Sequence, residues 1–141
     1  MYLKTTKETF TEDGFLLTGD KGEIDEAGRL KITGRIKEIF KTSKGKYVAP
    51  APIENKLIGH DVIEMVCVAG DACPQPHALM MLSDETFKKH ADPAFRKEVE
   101  SSLVQLMADV NKTVDPHEAL QFMVVVKQQW LIENDFLTPI N

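Results

Sequence analysis

Three short, nearly continuous apolar segments constrain the fold of this chain more than any other feature. They cover residues 62–69, 77–82 and 122–126. Apolar runs of about four to eight residues are typical of buried strands, and the first is expected to be buried on both faces. Helical patterns lie between the segments. The sequence therefore predicts an α+β fold, in which helices flank a three-stranded sheet.

Helix signals surround these strands. Asp92-Pro93 combines a capping carboxylate with a first-turn proline, which predicts the start of a long helix. Its apolar face would be formed by residues at helical spacing: Phe95, Val99, Leu103, Leu106 and Val110. A short helix is predicted over 52–58, and Asp115-Pro116 predicts another. Residues 130–132 are predicted to add an edge strand.

The first third of the chain has short alternating segments typical of hairpins. Residues 23–24 and 30–33 flank a turn in which Gly28 suits a left-handed position. A second hairpin is predicted, with residues 38–41 leading into a loop at 42–46 and on to Tyr47. The stretch 34–37 contains no Pro or Ser, and we interpret it as a tight hinge.

Net charge, apolar run length and cysteine spacing argue against several classes of function. The formal net charge of −5 argues against nucleic acid as a partner, because such binders are usually basic. The longest apolar runs are too short to cross a bilayer, and the N-terminus has no signal-peptide pattern. These features predict a cytoplasmic location. The spacing of Cys67 and Cys73 does not suggest zinc, so two buried thiols are expected and no metal site is assigned.

Asp20, in the sequence Thr18-Gly19-Asp20, is the first candidate ligand-binding residue. An ionised Asp offers only hydrogen-bond acceptors, which would suit a sugar diol. From these three residues alone, a turn Asp that bonds its own backbone is the favoured interpretation.

A basic run follows, with five cations between Gly34 and Lys46 against one acid. If its flanks are strands, Arg35, Lys37 and Lys41 share one face by their even spacing. Three cations on one face would suit a phosphate. A solvated edge strand kept soluble by lysines explains the same pattern equally well. The sequence contains no P-loop pattern.

Taken in order, these pieces resemble the adenylate-forming superfamily. The resemblance is carried by "FTEDGFLLTGDKGEIDEAGRLKITGRIKEIFKTSKGKYVAPAPIENKL" and by the tail "LIENDFLTPIN". The run "GRIKEIFKTSKGKYVAP" followed by "IEN" is most similar to long-chain fatty-acid-CoA ligases. Such enzymes use ATP, with Mg²⁺, to convert a fatty acid to an acyl-adenylate, and then transfer the acyl group to coenzyme A (CoA). The resemblance thus implies an ATP-dependent acid–thiol ligase of fatty-acid and lipid metabolism.

The resemblance also implies roles for individual residues. Asp20 would bind the ATP ribose, and Arg35 would reach the nucleotide. Lys37 would be the hinge residue and, with Lys41, would contact the nucleotide. Two further implied roles concern the second half-reaction: Gly45 would line the pantetheine path of CoA, and Tyr47 would lie near the acyl tunnel.

The same resemblance predicts the domain organisation. Residues 1–36 would be the trailing β segment of a large N-terminal domain, and residues 37–141 a mobile C-terminal cap domain. The adenylation lysine would follow Asn141, so this chain would carry no catalytic residue and would be inactive alone. Its partners would be the missing large domain and small-molecule substrates, with peripheral membrane contact of the parent enzyme left open. The alternative is a stand-alone α+β module that binds a phosphate-bearing ligand or a protein without catalysis.

Overall fold

A computed structural model of the chain describes residues 9–134 and residue 137. The strands are β1 (Asp20–Ile24), β2 (Leu30–Arg35), β3 (Phe40–Lys41), β4 (Tyr47–Val48), β5 (Ile63–Ala69), β6 (His77–Leu82) and β7 (Met123–Val125). The α-helices are α1 (Pro50–Leu57), α2 (Asp84–Lys89) and α3 (Pro93–Asn111), and 3-10 turns occupy Ile36–Glu38 and Ile132–Asn134. The tail motif beyond Asn134 lies outside the described residues, except for Leu137.

A three-stranded sheet forms the centre of the fold, as predicted. Its order is β5-β6-β7, with β6 antiparallel to β5 and parallel to β7. The central strand is the most buried, and Ala78 and Leu82 are fully inaccessible to solvent. Helices α1 and α3 contribute the apolar side chains that complete the core around the sheet.

The expectation that the first apolar segment is buried on both faces is wrong. In β5, Ile63 and Val68 are buried, but Glu64 and Cys67 are exposed. The reason is that β5 is an edge strand, with one face on the core, and an irregularity between Ile63 and Met65 changes which side chains point inward along it. The prediction of two buried thiols is also wrong, since Cys67 is exposed and Cys73 is only half-buried.

The long helix begins as its sequence predicts. The Asp92 carboxylate accepts a hydrogen bond of 2.9 Å from the Ala94 amide, and Pro93 is the first helical residue. Val99, Leu103 and Val110 are buried, which confirms the predicted apolar face. Helix α2, capped by the Ser83 side chain, was not predicted.

Two predicted elements are wrong. Residues 116–118 form a turn rather than a helix, and residues 132–134 form a 3-10 turn rather than a strand. The Asn111 side chain donates to the Leu120 carbonyl at 2.9 Å and accepts from the Leu120 amide at 2.8 Å. These two bonds tie Leu120 back to the end of α3, and the short connection between them contains only the turn closed by the Glu118 amide and the Asp115 carbonyl.

Both predicted hairpins are present. β1 pairs antiparallel with β2, β3 with β4, and Gly28 has a φ of +77° in the first turn. The first hairpin lies next to α1, where a Cβ on Gly34 would stand 3.8 Å from the Cβ of Ala51. No helix within residues 9–134 is long and apolar enough to span a bilayer. The predicted boundary between residues 36 and 37 stays a prediction.

Candidate functional site

The ends of the first hairpin bring two predicted site residues together. Asp20 opens β1 and lies opposite Arg35, the last residue of β2. Arg35 Nε is 3.6 Å from Asp20 Oδ1, and the Arg35 side chain is 71% exposed. At that distance the contact is an ion pair without a good hydrogen bond. An exposed pair of this kind contributes at most about 1 kcal/mol, so Arg35 can reorient toward a ligand at little cost.

The backbone around Gly19 explains why this site also includes Lys37. Gly19 has a φ of +79°, and its carbonyl accepts a hydrogen bond of 2.8 Å from the Ile36 amide. The Thr18 hydroxyl accepts from the Asp20 amide at 3.2 Å. The start of β1 is thereby fastened to the start of the 3-10 turn, and Lys37 follows immediately.

The favoured interpretation of Asp20 as a turn residue is wrong. The local side-chain bond of this turn comes from Thr18, and the charged partner of the Asp20 carboxylate is Arg35. The carboxylate, about one-third exposed, retains acceptor capacity toward solvent or a ligand.

A cavity of about 640 Å³ opens beside these residues. Asp20 and Lys37 line it together with the apolar side chains of Leu16, Leu17 and Ile36. The Asp20 carboxylate can accept hydrogen bonds and Lys37 is a cation, while the apolar side chains can contact an apolar part of a ligand. This combination suits a ligand that carries hydroxyls, an apolar group and an anion.

The expectation that three cations share one strand face is wrong. Residues 36–38 form a 3-10 turn, so the alternation of side chains is interrupted between Arg35 and Lys41. Arg35 and Lys37 remain close to Asp20 through the hairpin end and the cavity. Lys41 belongs to the second hairpin, where its Nζ lies 5.5 Å from the centre of the Tyr47 ring.

The second hairpin presents Gly45 at its tip. Gly45 has a φ of +76°, and its amide donates to the Thr42 carbonyl at 2.9 Å. The buried Thr42 hydroxyl accepts from the Lys46 amide at 3.2 Å. A glycine is required at this tip because other residues rarely adopt that backbone conformation. Tyr47 follows the loop and is 65% exposed.

Residues 70–73 support this loop, a relation that the sequence analysis missed. The Ser43 amide donates to the Cys73 carbonyl at 2.9 Å, and the Ala72 amide donates to the Lys41 carbonyl at 3.0 Å. Gly70 makes this approach possible, because a Cβ there would come within 3.1 Å of the Phe40 ring. The glycine directly after an apolar strand was the available signal for such a close backbone contact.

Glu54 is a second residue that the sequence analysis missed. Its carboxylate accepts a hydrogen bond of 2.8 Å from the Val68 amide and so joins α1 to β5. Partial burial raises the pKa of Glu54, the bond from Val68 opposes that shift, and the charge of Glu38 adds to it. The position is structural, since Glu54 does not line the cavity beside Asp20.

The architecture defines the class of the protein. A three-stranded sheet flanked by helices follows the 3-10 turn at Lys37, and the hairpin that carries Asp20 and Arg35 precedes that turn. The sequence profile of the AMP-binding enzyme C-terminal domain matches residues 37–132. The chain belongs to this family.

The sequence relatives are fatty-acid ligases. The chain is 48% identical over 85 residues to long-chain-fatty-acid–CoA ligase FadD15 of Mycobacterium tuberculosis, a match that covers 60% of the chain and 14% of the relative. It is 31% identical to human long-chain-fatty-acid–CoA ligase 6, across 98% of the chain and 22% of the relative. The predicted resemblance to long-chain fatty-acid-CoA ligases is thereby confirmed. The stand-alone module is not favoured. The chain spans less than a quarter of either relative.

Solved structures share the fold. The adenylation domain of a carboxylate reductase from Mycobacterium chelonae superposes with a TM-score of 0.76 at 24% identity, over 96% of this chain and 21% of that one. A two-domain structure of the carboxylic acid reductase from Segniliparus rugosus, in complex with AMP, has a TM-score of 0.72 at 25% identity. That match covers 95% of this chain and 19% of that one.

Proposed function

We propose that this chain is the mobile C-terminal region of an ATP-dependent long-chain fatty-acid–CoA ligase. One observation carries the proposal: the hydrogen bond between Gly19 and Ile36 brings an acceptor-only carboxylate, Asp20, and two cations, Arg35 and Lys37, to one place. The relatives supply the reaction class through their names.

Asp20 is suited to hold the ribose of ATP. Its carboxylate can accept hydrogen bonds from both ribose hydroxyls, and the apolar side chains of Leu16 and Leu17 line the same cavity. Arg35 and Lys37 would then reach the phosphates. As a fatty-acid carboxylate attacks the α-phosphate, negative charge accumulates there, and positioned cations stabilise that transition state.

Lys37 is also suited to act as a hinge. It occupies the single 3-10 turn between the first hairpin and the second, and a few backbone rotations there would redirect everything that follows. In one orientation Lys37 and Lys41 would face the nucleotide. In the other, the Gly45 loop would line the path of the CoA pantetheine, with Tyr47 near the acyl group.

The first hairpin and the segment that precedes it carry exposed apolar side chains, which support a large partner domain. Phe15 is 72% exposed and Ile24 is 74% exposed, and further exposed apolar side chains accompany them: Phe10, Leu16, Leu17, Leu30 and Ile32. A concentration of exposed apolar side chains this dense marks an interaction surface. We assign this surface to the large domain of the same enzyme.

Mg²⁺ would accompany the ATP phosphates and help to neutralise them. Among the residues that the structure describes, no group of three or more His, Cys, Asp or Glu side chains could hold a metal ion. The described residues therefore do not fit a resident metal, and the roles assigned to this chain do not include one.

A fusion of this chain to the large domain of the M. tuberculosis relative tests the proposal. The fusion should release pyrophosphate with ATP and a fatty acid and should form acyl-CoA, whereas this chain alone should do neither. Asp20→Ala should raise the KM for ATP by about tenfold to a hundredfold, the effect of losing charged hydrogen bonds to the ribose. Glu23→Ala, on the same strand but outside the cavity, is the matched control. Equal KM values for the two variants would remove Asp20 from the nucleotide site.

The hinge is tested by Lys37→Pro in the same fusion. Proline fixes φ at position 37 and disfavours a helical backbone at Ile36, so rotation is restricted. Thioester formation should fall more than adenylation, because only the second half-reaction requires rotation after the adenylate has formed. Lys37→Ala removes the same cation without fixing φ, and if Lys37→Pro adds equal losses to both half-reactions beyond those of Lys37→Ala, there is no hinge at this residue.

A further inference from the structure

A second groove, of about 750 Å³, lies between α3 and β7 and shares no lining residue with the cavity beside Asp20. Its walls are mainly apolar and include Met80, Leu103, Val104, Met107, Met123 and Val125. The volume falls in the range of about 300–1,000 Å³ that small-molecule sites occupy. Methionine side chains are flexible and polarisable, so such walls adapt to an aliphatic chain.

The groove has a charged end and an apolar end. At one end of the sheet, Met123 of β7 pairs with Ala78 of β6. Val110, near the C-terminal end of α3, belongs to the same core cluster as Ala78. Helix α3 therefore runs antiparallel to β7. This direction places Arg96 near Lys127 and Met107 near Met123. The rise of 1.5 Å per residue gives about 16 Å between positions 96 and 107.

Two permanent cations and one carboxylate line the charged end: Arg96, Lys127 and Glu100, with His90 beside them. Arg96 Nε donates to the His90 carbonyl at 3.4 Å. Over residues 9–134, none of the ion pairs involves Arg96, Lys127 or Glu100. The excess is one positive charge, which matches a monoanion better than a dianion.

We infer that this groove binds a long-chain carboxylate anion, with its aliphatic tail along the methionine-rich wall and its head group against Arg96 and Lys127. A guanidinium can bind a carboxylate through two parallel hydrogen bonds. This site lies outside the nucleotide cavity and adds to the proposed function. It would give the C-terminal region its own contact with the acyl substrate class.

Calorimetric titration of the 141-residue chain with laurate tests the inference. Laurate should bind, and dodecanol, which lacks the carboxylate, and acetate, which lacks the tail, should bind at least tenfold more weakly. The double variant Arg96→Gln with Lys127→Gln should bind laurate about tenfold more weakly, since each exposed charge contact changes affinity by up to about fivefold. Lys88→Gln is the control, because Lys88 does not line the groove. Rising salt should weaken binding to the parent chain more than binding to the double variant.

The apolar half is tested separately by Val104→Asp. Val104 is 62% exposed, so the substitution should leave the fold intact by circular dichroism while it removes laurate binding. Ser101→Asp, on the same helix outside the groove, should bind normally. The inference is overturned if laurate does not bind, or if dodecanol binds as tightly as laurate. It is also overturned if lauryl phosphate binds more tightly than laurate, or if Val104→Asp does not change the affinity for laurate. The titration uses neither ATP nor the large domain, so its failure is distinct from failure of the proposed ligase activity.

Discussion

Gly70→Ala should be far more destabilising than an ordinary glycine substitution. Gly70 is buried at the end of β5, with a φ of +154°. A Cβ at this position would lie 2.8 Å from the Pro76 Cα, 3.1 Å from the Phe40 ring and 3.3 Å from the Gln75 carbonyl oxygen. Two of these three neighbours are backbone atoms, so the contact cannot be relieved by a side-chain rotation.

The expected magnitude is the sum of two effects. Placing a non-glycine residue at such a φ costs about 1–3 kcal/mol, and forcing extra volume into a packed site costs about 1–3 kcal/mol more. Two other glycines separate these effects. Gly28→Ala has positive φ but open space around the Cβ, and Gly59→Ala has open space without positive φ. We expect the free energy of unfolding to fall by about 2–6 kcal/mol for Gly70→Ala and by about 1–3 kcal/mol for Gly28→Ala. For Gly59→Ala we expect little change or a gain of up to about 1 kcal/mol.

Urea unfolding of the three variants, followed by circular dichroism, measures these differences. Hydrogen exchange adds a local readout. The Ser43 and Ala72 amides should exchange faster in Gly70→Ala, because the bonds that hold the Gly45 loop depend on the approach that Gly70 permits. If Gly70→Ala is no less stable than Gly28→Ala, then the close packing at Gly70 does not constrain this loop.

Four further substitutions, at three residues, address hydrogen bonds between side chains and the backbone. Glu54→Ala should cost about 1–3 kcal/mol because the Val68 amide loses its acceptor, whereas Glu54→Gln keeps an acceptor without the partly buried charge. The folded state raises the pKa of Glu54 above its ordinary value of 4.5, so the contribution of Glu54 to stability is largest below pH 4.5 and declines as pH rises through the folded-state pKa. Glu54→Gln should therefore gain stability relative to the parent chain as pH rises through that range. Asp92→Ala should cost about 1 kcal/mol by removing the cap of α3. Asn111→Ala should cost about 1–3 kcal/mol, because both bonds to Leu120 are lost. Urea unfolding measures each effect.

Matched controls make these outcomes decisive. Glu98→Ala removes an exposed acid from α3 without touching its cap, and equal stability of Glu98→Ala and Asp92→Ala would mean that the cap contributes nothing. Gln105→Ala is the corresponding control for Asn111. For Glu54, a stability difference between the glutamine variant and the parent that stays constant with pH would contradict the raised pKa.

The strands and the long helix could be predicted because their signals are local. Asp92 and Pro93 mark the start of α3 within a few residues, and continuous apolar runs mark β5 and β6. The prediction near Ile132 failed because the Asn134 side chain closes a local turn with Gln129 and Leu131. The prediction near Asp115 failed because a side chain several residues away fixes that segment. The amide and carbonyl of Leu120 bond to the Asn111 side chain, and local sequence does not reveal that partner.

For the candidate site, too, the sequence supplied the residue types and the structure supplied their arrangement. The family resemblance implied nucleotide contacts for Asp20, Arg35, Lys37 and Lys41, and the charge and hydrogen-bonding capacity of these side chains suit that role. The sequence could not arrange them, since the even spacing of the cations assumed a continuous strand. The 3-10 turn at Ile36–Glu38 interrupts that spacing.

By itself, the sequence determined the strands of the central sheet, the long helix, the chemistry available to each side chain and the family resemblance. Only the tertiary structure decided which of those groups meet. The pairing of Asp20 with Arg35, the bond from Ile36 to Gly19 and the support of the Gly45 loop by residues 70–73 are contacts between separate segments. Such contacts depend on how hairpins, helix and sheet pack in three dimensions, and local propensity contains no information about that packing.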